Sequence, residues 1–286
     1  MAVWHAQDEN RIFYSNVPRR SILHFVARES IQTELQTRLL EDTTGRAVIL
    51  YGMGGSGKTQ LALRRCHLAK EYMGFLATLW INASTPTTVK QSYKTIANAI
   101  MSDFLNDDIE TTIFFVQDKL RNWTQPWLVV LDNYDNPGAF QGKPIKDYIP
   151  NGKAGHVLFT SRHAGLQRLG LQIPVSEMNM QESVQVLLQR PPTSLEEETE
   201  AQNIASMLGH LALTLDQAGS YIRARKLPLN EFVSHYRDRK EVVLKEIPDE
   251  WEYRKDTTTF EHSTPLSAFT TWEMSFDLIG GDEEVR

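Results

Sequence analysis

Eight consecutive residues, Gly52-Met53-Gly54-Gly55-Ser56-Gly57-Lys58-Thr59, combine four glycines with a cation and a terminal hydroxyl. Glycines let a backbone wrap closely around an anion, because no Cβ blocks the approach, and successive main-chain N–H groups then point inward as donors. A helix opening directly after them adds the positive end of its dipole. The spacing is that of a P-loop, in which Lys58 reaches the β- and γ-phosphates of a nucleoside triphosphate and the Thr59 hydroxyl ligates Mg2+. Gly52, Gly54, Gly55, Ser56, Gly57, Lys58, Thr59 and Gln60 form the expected cofactor-binding set.

Two more apolar runs end in groups suited to the same chemistry. Trp127-Leu128-Val129-Val130-Leu131 leads to Asp132, a carboxylate for the magnesium shell, and 156–160 leads to Ser161 and Arg162, a cation able to sense a γ-phosphate. Lys58, Asp132 and Arg162 are expected to act on the phosphates, with Thr59 and Asp132 holding the metal. Asn133 follows Asp132 and can orient a water but cannot accept its proton, so hydrolysis is expected to be slow; Asp135 is the nearest further acid. No Asn-Lys-x-Asp segment for guanine occurs, which favours ATP or ADP.

These groups need rigid elements behind them. The nearly unbroken apolar runs at 47–52, 76–82, 127–132 and 156–160, with a weaker one at 172–175, predict strands buried on both faces of a parallel sheet. Helical spacing at 92–104 and 113–123 places helices between them, and a doubly wound sheet binds ligands at the carboxyl ends of its strands. After residue 175 the strand signals stop, and 181–189, 196–208 and 211–224 read as helices. The predicted fold class is α/β, a P-loop NTPase with a parallel β-sheet flanked by helices, followed by a small all-α domain. The predicted division is an N-terminal extension over 1–20, the nucleotide-binding domain over 21–178, the helical domain over 179–240, and a linker with a truncated further domain over 241–286.

Composition narrows the function classes. The 286 residues carry a formal net charge of -6, which gives no whole-chain footprint for nucleic acid. Cys66 is the sole cysteine, so intramolecular disulfides and multi-cysteine metal sites are excluded, and a reducing, cytoplasmic setting is expected. The eight histidines lack a zinc-ligand spacing, residues 1–10 lack a secretory apolar core, and no run is long enough to span a membrane. Cys66 is expected to be a buried thiol, and Trp80, Trp123 and Trp127 packing anchors.

In this order the motifs resemble the NB-ARC branch of the signal-transducing P-loop ATPases, the family of plant resistance proteins, apoptosome-forming factors and many fungal proteins with repeat tails. Phe25-Val26-Ala27-Arg28-Glu29 is similar to the family's opening motif, with Ala27 where glycine is usual. The resemblance implies that Val26 and Arg28 contact the adenine and ribose side of the nucleotide. Leu208-Gly209-His210-Leu211-Ala212-Leu213 and the residues to Gly219 look like the Gly-Leu-Pro-Leu motif in its fungal form, with Ala212 at the proline position. By that resemblance Leu211 and Ala212 pack near the adenine; read from the residues alone, the same segment is a helix start in an apolar core. Phe269-Thr270-Thr271-Trp272-Glu273-Met274-Ser275-Phe276 resembles the opening of the family's winged-helix domain. The family implies a switch in which ADP holds the domains closed and exchange for ATP permits self-association and recruitment of an effector in immunity or programmed cell death. A nucleotide-retaining scaffold and a P-loop phosphotransferase remain as alternatives.

Overall fold

The computed structural model describes residues 13–18, 25–41, 47–72, 74–101, 108–236, 254–255 and 264–265. The resemblance at Phe269–Phe276 lies outside them.

Six strands form one sheet in the order β1-β3-β4-β5-β2-β6, from Tyr14–Ser15 (β1), Ala47–Tyr51 (β2), Ala77–Asn82 (β3), Trp127–Asp132 (β4), Gly155–Ser161 (β5) and Gly170–Pro174 (β6). The pairs β1 with β3, β3 with β4 and β4 with β5 are parallel. Every residue of β4 is buried, which follows from its inner place between β3 and β5 and from an unbroken apolar sequence before Asp132. Trp127 anchors that strand: its indole N–H donates to the Leu120 carbonyl at 3.0 Å, and a Cβ on the facing Gly155 would lie 2.2 Å from its ring.

The helices are α1 (Glu29–Glu41), α2 (Lys58–Tyr72), α3 (Pro86–Ile100), α4 (Ile109–Asn122), α5 (Met180–Leu188), α6 (Leu195–Met207) and α7 (Ala212–Arg225), with a further helical stretch at 229–236. Both α3 and α4 begin earlier than apolar spacing predicts, because their starts are set by caps. The Thr85 hydroxyl accepts the Thr88 N–H ahead of Pro86, and Asp108 accepts the Thr111 N–H. Cys66 is buried, and that burial pushes its thiol pKa up, so the thiol is inert at neutral pH.

The chain divides into two compact units. One is drawn from Met1–Pro18, Gln36–Ile49 and Ala62–Gln172, the other from Arg19–Leu35, Leu50–Leu61 and Ile173–Arg286. In the second unit α5, α6, α7 and the stretch at 229–236 share a core that includes Leu187, Ile204, Leu215, Tyr221 and Phe232. Helix α7 approaches α5 closely at Gly219, where a Cβ would lie 2.2 Å from the Leu187 carbonyl oxygen. The acidic first turn of α6 is capped by Ser194 and braced by Arg190 on Glu197, which holds that carboxyl at a pKa of about 2.

Candidate functional site

The turn from Gly52 to Gly57 links β2 to α2 and lies within the second unit. Gly55 and Gly57 have φ of 79° and 96°, conformations that side-chain-bearing residues adopt only under strain. At Gly52 the main chain is closed in as well: a Cβ would sit 2.5 Å from the Val175 carbonyl oxygen, and the Val175 N–H donates to Tyr51 at 2.7 Å. The turn is thus wrapped tightly enough to need glycine at these places.

Lys58, the first residue of α2, is buried and its ammonium donates to the carbonyls of Gly52 at 2.8 Å and Met53 at 2.7 Å. The side chain is folded back over the turn. The Ser56 hydroxyl is buried without a hydrogen-bond partner among the described residues, a cost of roughly 1–3 kcal/mol that a polar ligand would relieve. Positive-φ glycines, a lysine over the turn and an orphaned hydroxyl together fit a polyphosphate. Thr59 and Gln60 follow in the first turn of α2, both half-buried.

Arg28 braces this turn. Its guanidinium donates to the Ser56 carbonyl at 3.3 Å and the Glu177 carbonyl at 2.9 Å, and its Nε lies 3.5 Å from Glu182 of α5. Burial lowers the Arg28 pKa, while Glu182 and Glu177 oppose that shift. The residue adopts φ 46°, which turns the chain into α1. Its two terminal nitrogens donate to main-chain carbonyls and its charge faces Glu182, which ties the turn to α5. Val26, ahead of it, is half-buried.

The start of α7 meets the same turn. The Leu213 N–H donates to the Gly55 carbonyl at 3.0 Å, and a Cβ on Gly55 would lie 2.8 Å from the Leu213 Cβ. Leu211 is the N-cap of α7 and Ala212 its first residue, whose Cβ would lie 3.9 Å from a Cβ built on Gly57. Ala212 therefore lies beside the glycine turn with Leu211 just ahead of it, and Leu213, which sequence reasoning did not single out, makes the direct bond to the turn. Ahead of them His210 takes φ 54°; its carbonyl accepts the Met178 N–H and its ring nitrogen Nδ1 lies 3.0 Å from the Ser183 hydroxyl.

Proline is expected to suit position 212. The first residue of a helix has no acceptor for its N–H within that helix, and Leu211 at φ -85° and ψ 121° already holds the extended conformation proline demands of its predecessor. Ala212→Pro should stabilise the protein by about 0.4–1 kcal/mol, read as a higher urea midpoint at unchanged slope. An unfavourable shift would mean that the start of α7 needs the Ala212 N–H.

In the first unit Asp132 ends β4 and is buried. Its Oδ1 accepts the Thr160 hydroxyl at 2.5 Å and its Oδ2 accepts the Asn133 amide at 3.1 Å. Asn133 has φ 63° and donates its main-chain N–H to the same Thr160 hydroxyl at 2.9 Å. Thr160 thus aims the carboxylate, a role visible in the sequence only as a hydroxyl at the end of an apolar strand. Beyond β5, the Arg162 Nε lies 3.1 Å from Asp135, whose other oxygen accepts the Arg162 main-chain N–H at 2.7 Å.

A parallel sheet with a glycine turn between β2 and α2 and a buried aspartate at the end of β4 defines a P-loop NTPase. The NB-ARC domain model matches residues 28–187, more than half of the chain. The chain belongs to the NB-ARC family of nucleotide-binding, signal-transducing P-loop ATPases. A nucleotide-binding leucine-rich repeat (NLR)-like protein of Hyaloscypha variabilis is 24% identical, over 93% of this chain and 29% of its own length. The chain thus spans less than a third of that relative.

Among solved structures, a signal transduction ATPase with a tetratricopeptide repeat sensor from Pyrococcus horikoshii aligns at TM-score 0.45 and 16% identity, over 70% of this chain and 30% of that one. The Orc1 protein of Aeropyrum pernix, solved in complex with DNA, aligns at TM-score 0.49 and 17% identity, over 92% and 80%. Among the described residues no helix is long and apolar enough to cross a membrane.

Proposed function

We propose that this chain is the ADP/ATP-binding switch of an NLR-like signalling protein, in which nucleotide exchange controls self-association and hydrolysis is slow. The observation that carries this reading is the bond from the Leu213 N–H to the Gly55 carbonyl. That bond joins the first turn of α7 to the glycine turn, which would meet the phosphates. A change in phosphate number then acts on α7 through its immediate neighbour. A ligand shifts such an equilibrium only by its difference in affinity for the two arrangements, and about 5.5 kcal/mol of difference reverses a strongly biased population.

The residue roles follow from chemistry. Main-chain N–H groups from Gly52 to Thr59, including Gly54, Gly55, Ser56 and Gly57, bind the phosphates, and Lys58 exchanges its carbonyl partners for phosphate oxygens. Bound Mg2+ would supply charge neutralisation, with Thr59 and Asp132 as its protein ligands. Arg162 senses the γ-phosphate. Val26, Arg28, Leu211 and Ala212 border the adenine side, Arg28 by bracing the turn, and Gln60 sits at the helix start. Residues 21–178 are assigned to the nucleotide-binding domain and 179–240 to the helical domain. The partners are an adenine nucleotide, further copies of the intact protein and an effector in immunity or cell death, in the cytoplasm.

Turnover is expected to be slow because, among the described residues, the positions after Asp132 offer no carboxylate free to take a proton. Asn133 occupies the next position, and both oxygens of Asp135 engage Arg162. Incubation of purified protein with labelled ATP should give retained nucleotide and phosphate release below about 1 per second. Faster release would defeat the switch reading. Label appearing on an acceptor group would favour a phosphotransferase, and ADP that never exchanges would favour a scaffold.

A further inference from the structure

Asp135 lies three residues past Asp132 in the turn after β4, within the first unit. It grips Arg162 at two points: Oδ1 accepts the main-chain N–H at 2.7 Å, and Oδ2 faces the side-chain Nε at 3.1 Å. The pair is sheltered, with 24% and 17% side-chain exposure, so it is screened less than a surface ion pair. The turn carrying Asp135 is itself fixed. The Tyr134 N–H donates to the Thr160 carbonyl at 3.0 Å, the Ser161 hydroxyl donates to the Tyr134 carbonyl at 2.6 Å, and the Tyr134 ring is buried against Phe140 and Phe159. Asp135 and Arg162 therefore form a rung between the ends of β4 and β5.

A long arginine side chain loses considerable rotamer freedom when it meets an anion, and a carboxylate that already fixes it lowers that loss at binding. A grip on the main-chain N–H and on Nε holds the residue at both its root and its guanidinium, and so sets the direction of the guanidinium plane. We propose that Asp135 is a positioning residue for Arg162, which presets the guanidinium for a terminal phosphate and so sets the preference for nucleoside triphosphate over diphosphate. This rests on Arg162 as the γ-phosphate sensor. It gives Asp135 a role other than proton acceptor: the acid acts on discrimination between nucleotides, through the arginine.

The test is equilibrium binding of Mg-ADP and of the magnesium complex of β,γ-imido ATP to the 286-residue chain, with both ligands titrated into one preparation of each variant. The ratio of the two affinities is independent of the folded fraction. Asp135→Asn should lower the preference for the triphosphate by about three- to tenfold, and Mg-ADP affinity should stay within about twofold of the parent. Arg162→Ala should lower the preference at least as far, and adding Asp135→Asn to it should change nothing more. Asp135→Glu, which keeps the charge but shifts the carboxylate by one methylene, should fall between parent and Asp135→Asn. Equal weakening of both ligands by Asp135→Asn, or an undiminished effect of it in the Arg162→Ala background, would overturn the proposal. An unchanged preference in Arg162→Ala would instead remove the sensor reading itself.

Discussion

Lys58→Ala should weaken the binding of Mg-ADP and Mg-ATP by about 30- to 150-fold, the equivalent of a lost charge-assisted hydrogen bond of about 2–3 kcal/mol. The lysine ammonium is buried over the glycine turn, held by the Gly52 and Met53 carbonyls, so it stands over the place where phosphates would be cupped. Removing it deletes the cation and also leaves those carbonyls without that donor. Lys58→Arg should not rescue binding, because a planar fork does not reproduce a compact ammonium inside a tight turn. Isothermal calorimetry with both nucleotides reads the loss directly. Affinity retained within about threefold in Lys58→Ala would contradict the assignment of this turn to phosphate.

Gly55→Ala should destabilise the protein by about 2–4 kcal/mol and detach the start of α7 from the glycine turn. Two effects add. The backbone at φ 79° strains any residue with a Cβ, by about 1–3 kcal/mol, and the added methyl would lie 2.8 Å from the Leu213 Cβ. The neighbour cannot yield cheaply, since Leu213 is anchored by its own N–H on the Gly55 carbonyl and by its place in the helical core. Gly57→Ala is the control: it meets only the Ala212 Cβ at 3.9 Å, so backbone strain alone should act. Urea midpoints without added nucleotide should rank parent, Gly57→Ala, then Gly55→Ala, and hydrogen exchange should show loss of protection at the Leu213 amide in Gly55→Ala alone. Equal effects at the two glycines would remove the steric link between the turn and α7.

The glycine turn was legible because strand, turn and helix each carry their own signal over a few residues: 47–51 is uniformly apolar, the glycines are spaced for phosphate, and Lys58 opens α2. Apolar runs likewise announced β3, β4 and β5. Helix α1 carries a weak signal because its buried stripe is narrow, Ile31, Leu35 and Leu39, while Leu40 is exposed and the remaining positions are polar. Strand β1 is two residues long and carries no period at all. The early starts of α3 and α4 were written in Thr85-Pro86 and Asp108, cap signals that precede the apolar face.

Site residues divide in the same way. Asp132 and Arg162 stand at strand ends, where residue type and position suffice to mark them. Their partners Thr160 and Asp135 are 28 and 27 residues away along the chain, and only the pairing of β4 with β5 brings those ends together. Arg28 was placed from a family resemblance as a nucleotide contact. Its observed bonds to Ser56 and Glu177 join residues 28 and 149 positions away along the chain, pairings that no local pattern encodes.

Denaturing freshly purified protein and separating the released small molecules by ion-exchange chromatography bears most directly on whether the Gly52 to Thr59 turn is a polyphosphate site. Near-stoichiometric adenine nucleotide, chiefly ADP, is the predicted result. Protein that releases none, and that takes up none when Mg-ATP is supplied, would contradict the account.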